Sequence, residues 1–149
     1  MTEGPIMRTL LGAIISTLLL VAAVAGCSSA ADEPDVEQTE WILRSFDGKE
    51  ASAMGFEGVM PHITLADGKV TGNLTVNRVN GNYELSGDDI SFSQLARTKM
   101  VGPPEAMEQE EQFLTALERA ARVEVQDSMM VLLDSGDVVV AQLMAPVEG

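Results

Sequence analysis

The sequence holds one cysteine, Cys27, and a thiol is the strongest nucleophile among the side chains of this chain. Small residues precede it at positions 24–26, and a stretch rich in acidic and small residues follows it. Residues 10–26 carry no charge, which fits either the apolar region of an export signal or a short membrane span. Because the downstream flank is acidic, whereas a stop-transfer helix needs basic residues on its cytoplasmic side, the pattern favours an export signal.

The junction Val24-Ala25-Gly26-Cys27 resembles the lipobox of bacterial lipoproteins. The resemblance implies that a peptidase cuts before Cys27, that the thiol receives a diacylglyceryl group as a thioether, and that the new amine is acylated. Two or three acyl chains hold a protein durably, whereas one holds it only marginally. The alternative is that Cys27 is a buried apolar residue of a helix.

The sequence therefore predicts three regions: a signal peptide at 1–26, a lipidated cysteine with a flexible acidic tether at 27–39, and a folded domain at 40–149. Either Met1 or Met7 starts the signal. We expect the protein on a cell membrane, the inner or the outer one, attached through Cys27 and facing the extracytoplasmic side.

The net charge is −14. Removing the signal removes one acid, Glu3, and one base, Arg8, so the charge of the processed chain is unchanged. A charge of this size argues against nucleic acid as a partner and against flat docking on anionic lipid. If Cys27 is lipidated, no thiol remains for a disulfide.

Other residues that are able to do chemistry are isolated. His62 is the only histidine, and it has no accompanying set of metal ligands. The adjacent carboxylates at 88–89 and 110–111 are expected to be solvated charges. The segment 134–137 is expected to be a hairpin turn, since it lacks the distal ligands of a calcium loop. We expect no cofactor, no metal and no enzymatic activity.

Alternating apolar residues predict short antiparallel strands. The first of them carries Trp41 and Leu43 on one face. Hairpin turns are predicted at three dipeptides, Asp67-Gly68, Asn80-Gly81 and Gly87-Asp88. The strands are half-buried, with apolar residues on one face and polar residues on the other.

One helix is predicted over residues 104–122, opened by Pro103-Pro104 and with Glu residues in its first turns. Two strands about Ser135-Gly136 are predicted to end the chain. The predicted apolar positions of the helix are Met107, Phe113, Leu114, Leu117, Ala120 and Ala121.

The run from Asn77 to Tyr83, together with Thr98-Lys99-Met100 and the opening W-x-L at Trp41, resembles the META domain of HslJ-like bacterial lipoproteins. The resemblance covers about residues 40–144. It implies an α+β fold, a curled antiparallel β-meander of small-barrel type with one helix packed on it. It also implies a lipoprotein with a role in stress response or envelope homeostasis.

The family usually carries two cysteines that can pair, and this chain has Val76 and Gly102 in their places. Both cysteines are absent together, so no free thiol is left in the domain. If the alignment holds, Val76 and Gly102 are neighbours in space.

Four further residues of the resemblance are candidates for a site: Asn77, Arg78, Tyr83 and Lys99. One interpretation is structural, with Asn77 in a turn and Tyr83 packed in the core. The other is that Arg78 and Lys99 form a cationic recognition spot on an acidic protein.

The function predicted from the sequence is that of a lipid-anchored, non-enzymatic envelope protein that binds a protein or a cell-wall component. The alternative is a small-ligand carrier or hydrolase that uses a barrel pocket lined by Met54, Phe56 and Met60.

Overall fold

The structure, a computed structural model, describes residues 33–54 and 58–147. Cys27 and the predicted signal peptide lie outside the described residues. The elements are β1 Glu40–Phe46, β2 Lys49–Glu50, β3 His62–Ala66, β4 Lys69–Asn73, β5 Arg78–Ser86, β6 Asp89–Arg97, α1 Pro104–Arg119, β7 Arg122–Gln126, β8 Met129–Leu133 and β9 Val139–Met144.

All the strands join one antiparallel sheet in the order β2-β1-β3-β4-β5-β6-β7-β8-β9. The sheet curls until β1 also pairs with β9, with Ile42 opposite Met144 and Phe46 opposite Ala141. The fold is therefore α+β, a ring-like meander with one helix packed on it. This confirms the fold class predicted from the sequence.

The ring is weakest between β6 and β7, which share the single pair Asp89–Arg122. The helix lies between these two strands in the chain and is joined to β6 by the pair of Arg97 with Glu111 at 2.8 Å. It also crosses one end of the ring. Arg119 contacts Asp47 after β1 and Asp134 after β8, at 2.9 and 3.2 Å.

Apolar side chains fill the interior of the ring. Trp41 and Leu43 point inward and are fully buried, as the alternation predicts. Phe113 and Leu117 of the helix enter the same core from the end that the helix covers. Other fully buried members are Ile63, Leu65, Val70, Leu74, Met130, Leu132, Val140 and Leu143.

Two of the three predicted hairpins are confirmed, at Asp67-Gly68 and Gly87-Asp88. The third is wrong. Asn80-Gly81 lies inside β5, where the register with β6 shifts by a bulge. Gly81 is needed there because β6 packs closely: a Cβ would lie 2.8 Å from Cδ2 of Leu95. The β4–β5 connection is formed by residues 74–77 instead.

The C-terminal part also differs from the prediction. Three strands, not two, follow the helix, because Asp127-Ser128 forms a turn between β7 and β8. The helix ends at Arg119, and the buried face is shifted by one position from the predicted stripe. Its buried residues are Ala106, Gln109, Glu110, Phe113, Ala116 and Leu117.

Residues 33–39, which fall in the predicted tether, contact the domain. Trp41 donates its indole N–H to the carbonyl of Val36 at 3.0 Å, and the amide of Gln38 donates to the carbonyl of Leu65 at 2.8 Å. The Tyr83 hydroxyl donates to the Glu37 carboxylate. Desolvation by burial, reinforced by the Glu37 carboxylate, raises the pKa of Tyr83 above its usual value of 10.

Val76 and Gly102 are neighbours in space, as the resemblance predicts. A Cβ built on Gly102 would lie 3.3 Å from Cβ of Val76 and 2.4 Å from its Cγ2. The first distance is just below the Cβ–Cβ range of disulfides, about 3.5 to 4.5 Å. The γ-methyl groups of Val76 therefore fill the space of the missing pair.

A Val76→Cys/Gly102→Cys double variant, made in a Cys27→Ser background, is expected to form a disulfide under oxidising conditions. Loop closure over about 25 residues stabilises by about 3.5 kcal/mol at most, and the lost packing of Val76 offsets about 1 kcal/mol. Urea denaturation with and without reductant measures the difference, and each single variant serves as a control. Two thiols that stay open to alkylation would contradict the expected geometry.

Candidate functional site

The site is built on the 74–77 turn that joins β4 to β5. The Leu74 amide donates to the Asn77 carbonyl at 2.7 Å, which closes the turn. Thr75 has φ of 125°, a backbone conformation that a β-branched residue rarely adopts. Its amide is held by the Asn73 side chain, with 2.8 Å between N and Oδ1. Such strain persists only where the surroundings fix the backbone.

Glu110 of the helix supplies that constraint. Its side chain is fully buried, and Oε1 accepts hydrogen bonds from the amides of Val76 and Asn77, both at 2.6 Å. Oε2 accepts from Nδ2 of Asn77 at 2.8 Å. A buried carboxylate is tolerated only when its oxygens are hydrogen-bonded or paired, and here three donors meet it. The expectation that Glu110 is a solvated charge is therefore wrong.

Asn77 links the turn to the segment after β6. Its Oδ1 accepts from the Thr98 hydroxyl at 2.8 Å and from the Met100 amide at 2.7 Å. Its Nδ2 donates to the Met100 carbonyl at 3.0 Å. Asn77 is fully buried, so its role is to hold the 98–100 segment against the turn rather than to meet a ligand.

Arg97 closes the network on the helix side. Its Nη2 donates to Glu111 at 2.8 Å, and its Nη1 lies 3.6 Å from Oε2 of Glu110. That distance is too long for a hydrogen bond, so the buried Nη1 contributes charge and not a directed contact. Gln109, one position before Glu110, donates to the Ser52 carbonyl at 2.8 Å and so ties the segment after β2 to the helix.

The structure brings three of the four predicted domain residues together. Arg78 and Lys99 are exposed on either side of Thr98, whose hydroxyl accepts the Arg78 amide at 3.1 Å, and Asn77 lies beneath them. Neither Arg78 nor Lys99 forms an ion pair in the part of the chain that the structure describes. We refer to Arg78 and Lys99 as the cationic spot. Tyr83 lies five residues further along β5, roughly 17 Å away, and is not part of it.

The cationic spot borders exposed apolar residues. Val101 is 85% exposed and Met100 is 55% exposed, although Met100 is fixed by its backbone bonds to Asn77. The arrangement is able to bind an anionic group beside an apolar one, and the backbone that carries these side chains is already held by hydrogen bonds.

Residues 33–54 and 58–147 hold no group of three or more His, Cys, Asp or Glu side chains placed to bind a metal ion. His62 lies with Nδ1 3.1 Å from the Met60 carbonyl. A carbonyl only accepts, so Nδ1 is the donor of this hydrogen bond.

Sequence reasoning missed Glu110, Arg97 and Thr98. A signal for Glu110 was present, because it lies three residues before Phe113 and seven before Leu117, on the face that the helix buries. A carboxylate on an apolar stripe requires donors from the facing element. Thr98 lies in the run 98–100 that carries the resemblance, but nothing in that run indicated its bond to Asn77. Arg97 carried no comparable signal, since its position depends on the shifted register of β6.

The family model of the META domain matches residues 34–146. This chain belongs to the META domain family. The match begins within the segment that docks on the sheet through Val36 and Gln38.

Solved structures share the fold of this META domain. A protein from Burkholderia xenovorans, determined by NMR, is 22% identical with a TM-score of 0.60, over 76% of this chain and 85% of that one. A DUF4847 family protein from Bacteroides vulgatus, determined by crystallography, is 18% identical with a TM-score of 0.55, over 76% and 96%. At these identities the likeness concerns the fold alone. No curated protein is significantly similar to the chain in sequence.

In the described part of the META-domain chain, α1 is too short and too polar to cross a membrane.

Replacing Glu110 by Gln is expected to destabilise the META domain by about 3 kcal/mol, because an amide would set a donor against Asn77 Nδ2 and leave Arg97 without its buried counter-charge. Glu111→Gln is the matched control. It breaks an exposed pair and is expected to change the free energy of unfolding by less than about 1 kcal/mol. Urea denaturation measures both. Equal effects at the two positions would show that the buried network does not stabilise the fold.

Proposed function

We propose that the protein is a lipid-anchored, non-enzymatic binding protein of the cell envelope. In this proposal Cys27 attaches the chain to a membrane, and the cationic spot binds a protein or cell-wall component in stress response or envelope homeostasis. Membership of the META domain family supports an envelope-associated role.

The observation that carries the binding proposal is the rigidity and isolation of the cationic spot. Arg78 and Lys99 are exposed on a chain of net charge −14, where an unpaired cation has many carboxylates to attract it. The network of Asn77 and Glu110 holds their backbone in place instead of neutralising them. Preorganised charges of this kind favour specific binding of an anionic partner.

The docked segment supports the anchor. Val36 is fixed to Trp41 and lies nine positions after Cys27, so the segment that joins the two residues spans at most about 30 Å. A lipid at Cys27 would therefore hold the domain close to the membrane by the end where residues 33–39 dock. The helix and the 74–77 turn lie at the other ends of β1 and β4, so the cationic spot would face away from that membrane.

The alternative of a ligand carrier or hydrolase has less support. The predicted barrel pocket is occupied by the packed side chains of Trp41, Phe113 and their neighbours. Met60 borders a depression of about 540 Å³, but this depression lies on the outside of the ring beside Arg44 and Gln142. Phe56 of the predicted lining lies outside the described residues.

Replacing Cys27 by Ala is expected to abolish lipid attachment, because no other residue of the junction offers a nucleophilic sulfur. The variant should not incorporate labelled fatty acid and should be recovered either uncleaved, with its signal still attached, or released from the membrane. Ser28→Ala, one position further on, is the control and should behave as the wild type. A Cys27→Ala protein that stays in the membrane and still carries lipid would contradict the anchor.

A chain that starts at Ser28, and so lacks both the predicted signal and Cys27, allows binding to be tested without the anchor. We expect it to cosediment with purified cell envelopes, and Arg78→Glu/Lys99→Glu to reduce the bound fraction by at least about tenfold, because like charges then face an anionic partner. Arg44→Glu/Lys49→Glu makes the same charge change at exposed positions elsewhere and is the control. Equal binding by both double variants would contradict the cationic spot.

A further inference from the structure

One side of the ring is poor in acidic residues, although the chain carries 23. Asp and Glu are absent from residues 58–66, 68–83 and 90–104, which include β3, β4, the first six residues of β5 and most of β6. The outward side chains of residues 62–66, 69–73, 78–82 and 93–97 therefore form a neutral to basic surface, which we call the amide face. The cationic spot lies at one end of it.

The amide face carries side chains that both donate and accept hydrogen bonds. Its exposed members include Thr71, Asn80 and Gln94. Thr71 and Asn80 are directly opposite each other on β4 and β5. The strands themselves expose no large apolar side chain here, since Val70 and Val79 point into the core. This composition is unlike the centre of a protein interface, which is enriched in aromatic residues and Met.

A chain of hydrogen bonds orders this face across three strands. Lys69 donates from Nζ to Oδ1 of Asn82 at 2.5 Å, and Nδ2 of Asn82 donates to Oε1 of Gln94 at 2.6 Å. Nε2 of Gln94 remains a donor at the end of this series of hydrogen bonds. These side chains border a depression of about 340 Å³ beside the bulge at Gly81. The donors and acceptors are thus partly preorganised for a polar ligand.

Cations stand at both ends of the amide face. Lys69 begins β4, and Arg78 is paired with Asn73, the last residue of that strand. Lys69 and Asn73 are four positions apart along β4, so the two cations are separated by roughly 14 Å along the strand. An extended polymer with repeated negative charges and hydroxyl groups between them matches this order of groups along the strand.

We infer that the amide face binds an anionic glycan chain, with Lys69 and the cationic spot meeting its charged groups and the Asn, Gln and Thr side chains meeting its hydroxyls. The inference rests on the proposed function and specifies the partner of that same surface. Because the face offers hydrogen bonds and charge, the affinity is expected to fall as salt increases.

The test uses the same chain from Ser28 onward, which contains every residue that the structure describes, and fluorescence anisotropy of three end-labelled probes in about 0.1 M salt. The probes are oligogalacturonate as an anionic glycan, dextran as a neutral glycan and polyglutamate as an acidic polypeptide. We expect oligogalacturonate to bind at least tenfold more tightly than either of the other two, since only it combines carboxylates with hydroxyls.

Asn80→Asp places a carboxylate in the centre of the amide face and should weaken oligogalacturonate binding at least tenfold. Gln126→Glu adds the same charge at an exposed position of β7 and should change the affinity for oligogalacturonate less than about twofold. Thermal melting of both variants confirms that they fold.

Polyglutamate binding as tight as that of oligogalacturonate would overturn the glycan inference and leave a protein partner for the cationic spot. Absence of binding by all three probes would also overturn it, while envelope binding that Arg78→Glu/Lys99→Glu abolishes would keep the proposed function. If that double variant binds envelopes as well as its control, the proposed function fails as well.

Discussion

The buried carboxylate of Glu110 fixes the helix to the sheet. Its two oxygens accept the amides of Val76 and Asn77 and the side chain of Asn77, so the strained 74–77 turn and the helix are held in a single arrangement. Asn77 in turn fixes Thr98 and Met100. The backbone of the cationic spot, Arg78 and Lys99, is therefore held in place by the same network. A carboxylate isolated from water costs several kcal/mol unless all its acceptors are used, which makes this contact obligatory and not merely favourable.

The helix does more than cover the core. It contacts β6 through the pair of Arg97 with Glu111, and it buries Phe113 and Leu117 in the core at one end of the ring. The exposed ion pairs of Arg119 orient its last turn, and such pairs stabilise by less than about 1 kcal/mol each. Burying one large apolar side chain contributes about 2 to 3 kcal/mol, so packing and the Glu110 network hold the helix in position.

Local patterns predicted much of this fold. Alternation placed Trp41 and Leu43 in the core, and Asp67-Gly68 marked a real turn, because both depend on neighbours in sequence. The turn predicted at Asn80-Gly81 was wrong because a glycine that permits a tight turn also permits a bulge. The bulge depends on the packing of Leu95 against Gly81, which the local sequence does not contain. The burial of Glu110 depends on donors more than thirty residues away, which single-sequence periodicity does not contain. The cationic spot was predicted as a pair, but its lack of ion-pair partners among the described residues is a property of the assembled surface.

The pairing of β1 with β9 has a consequence for how the domain is made. Ile42 meets Met144, about a hundred residues later in the chain, and contacts of such long sequence separation form slowly because a large loop must close first. Until the last strand is available, β1 lacks one of its two long neighbours, and one side of the sheet stays open. Cooperative folding of this domain therefore requires β9, and a nascent chain that does not yet contain β9 is unable to close the ring.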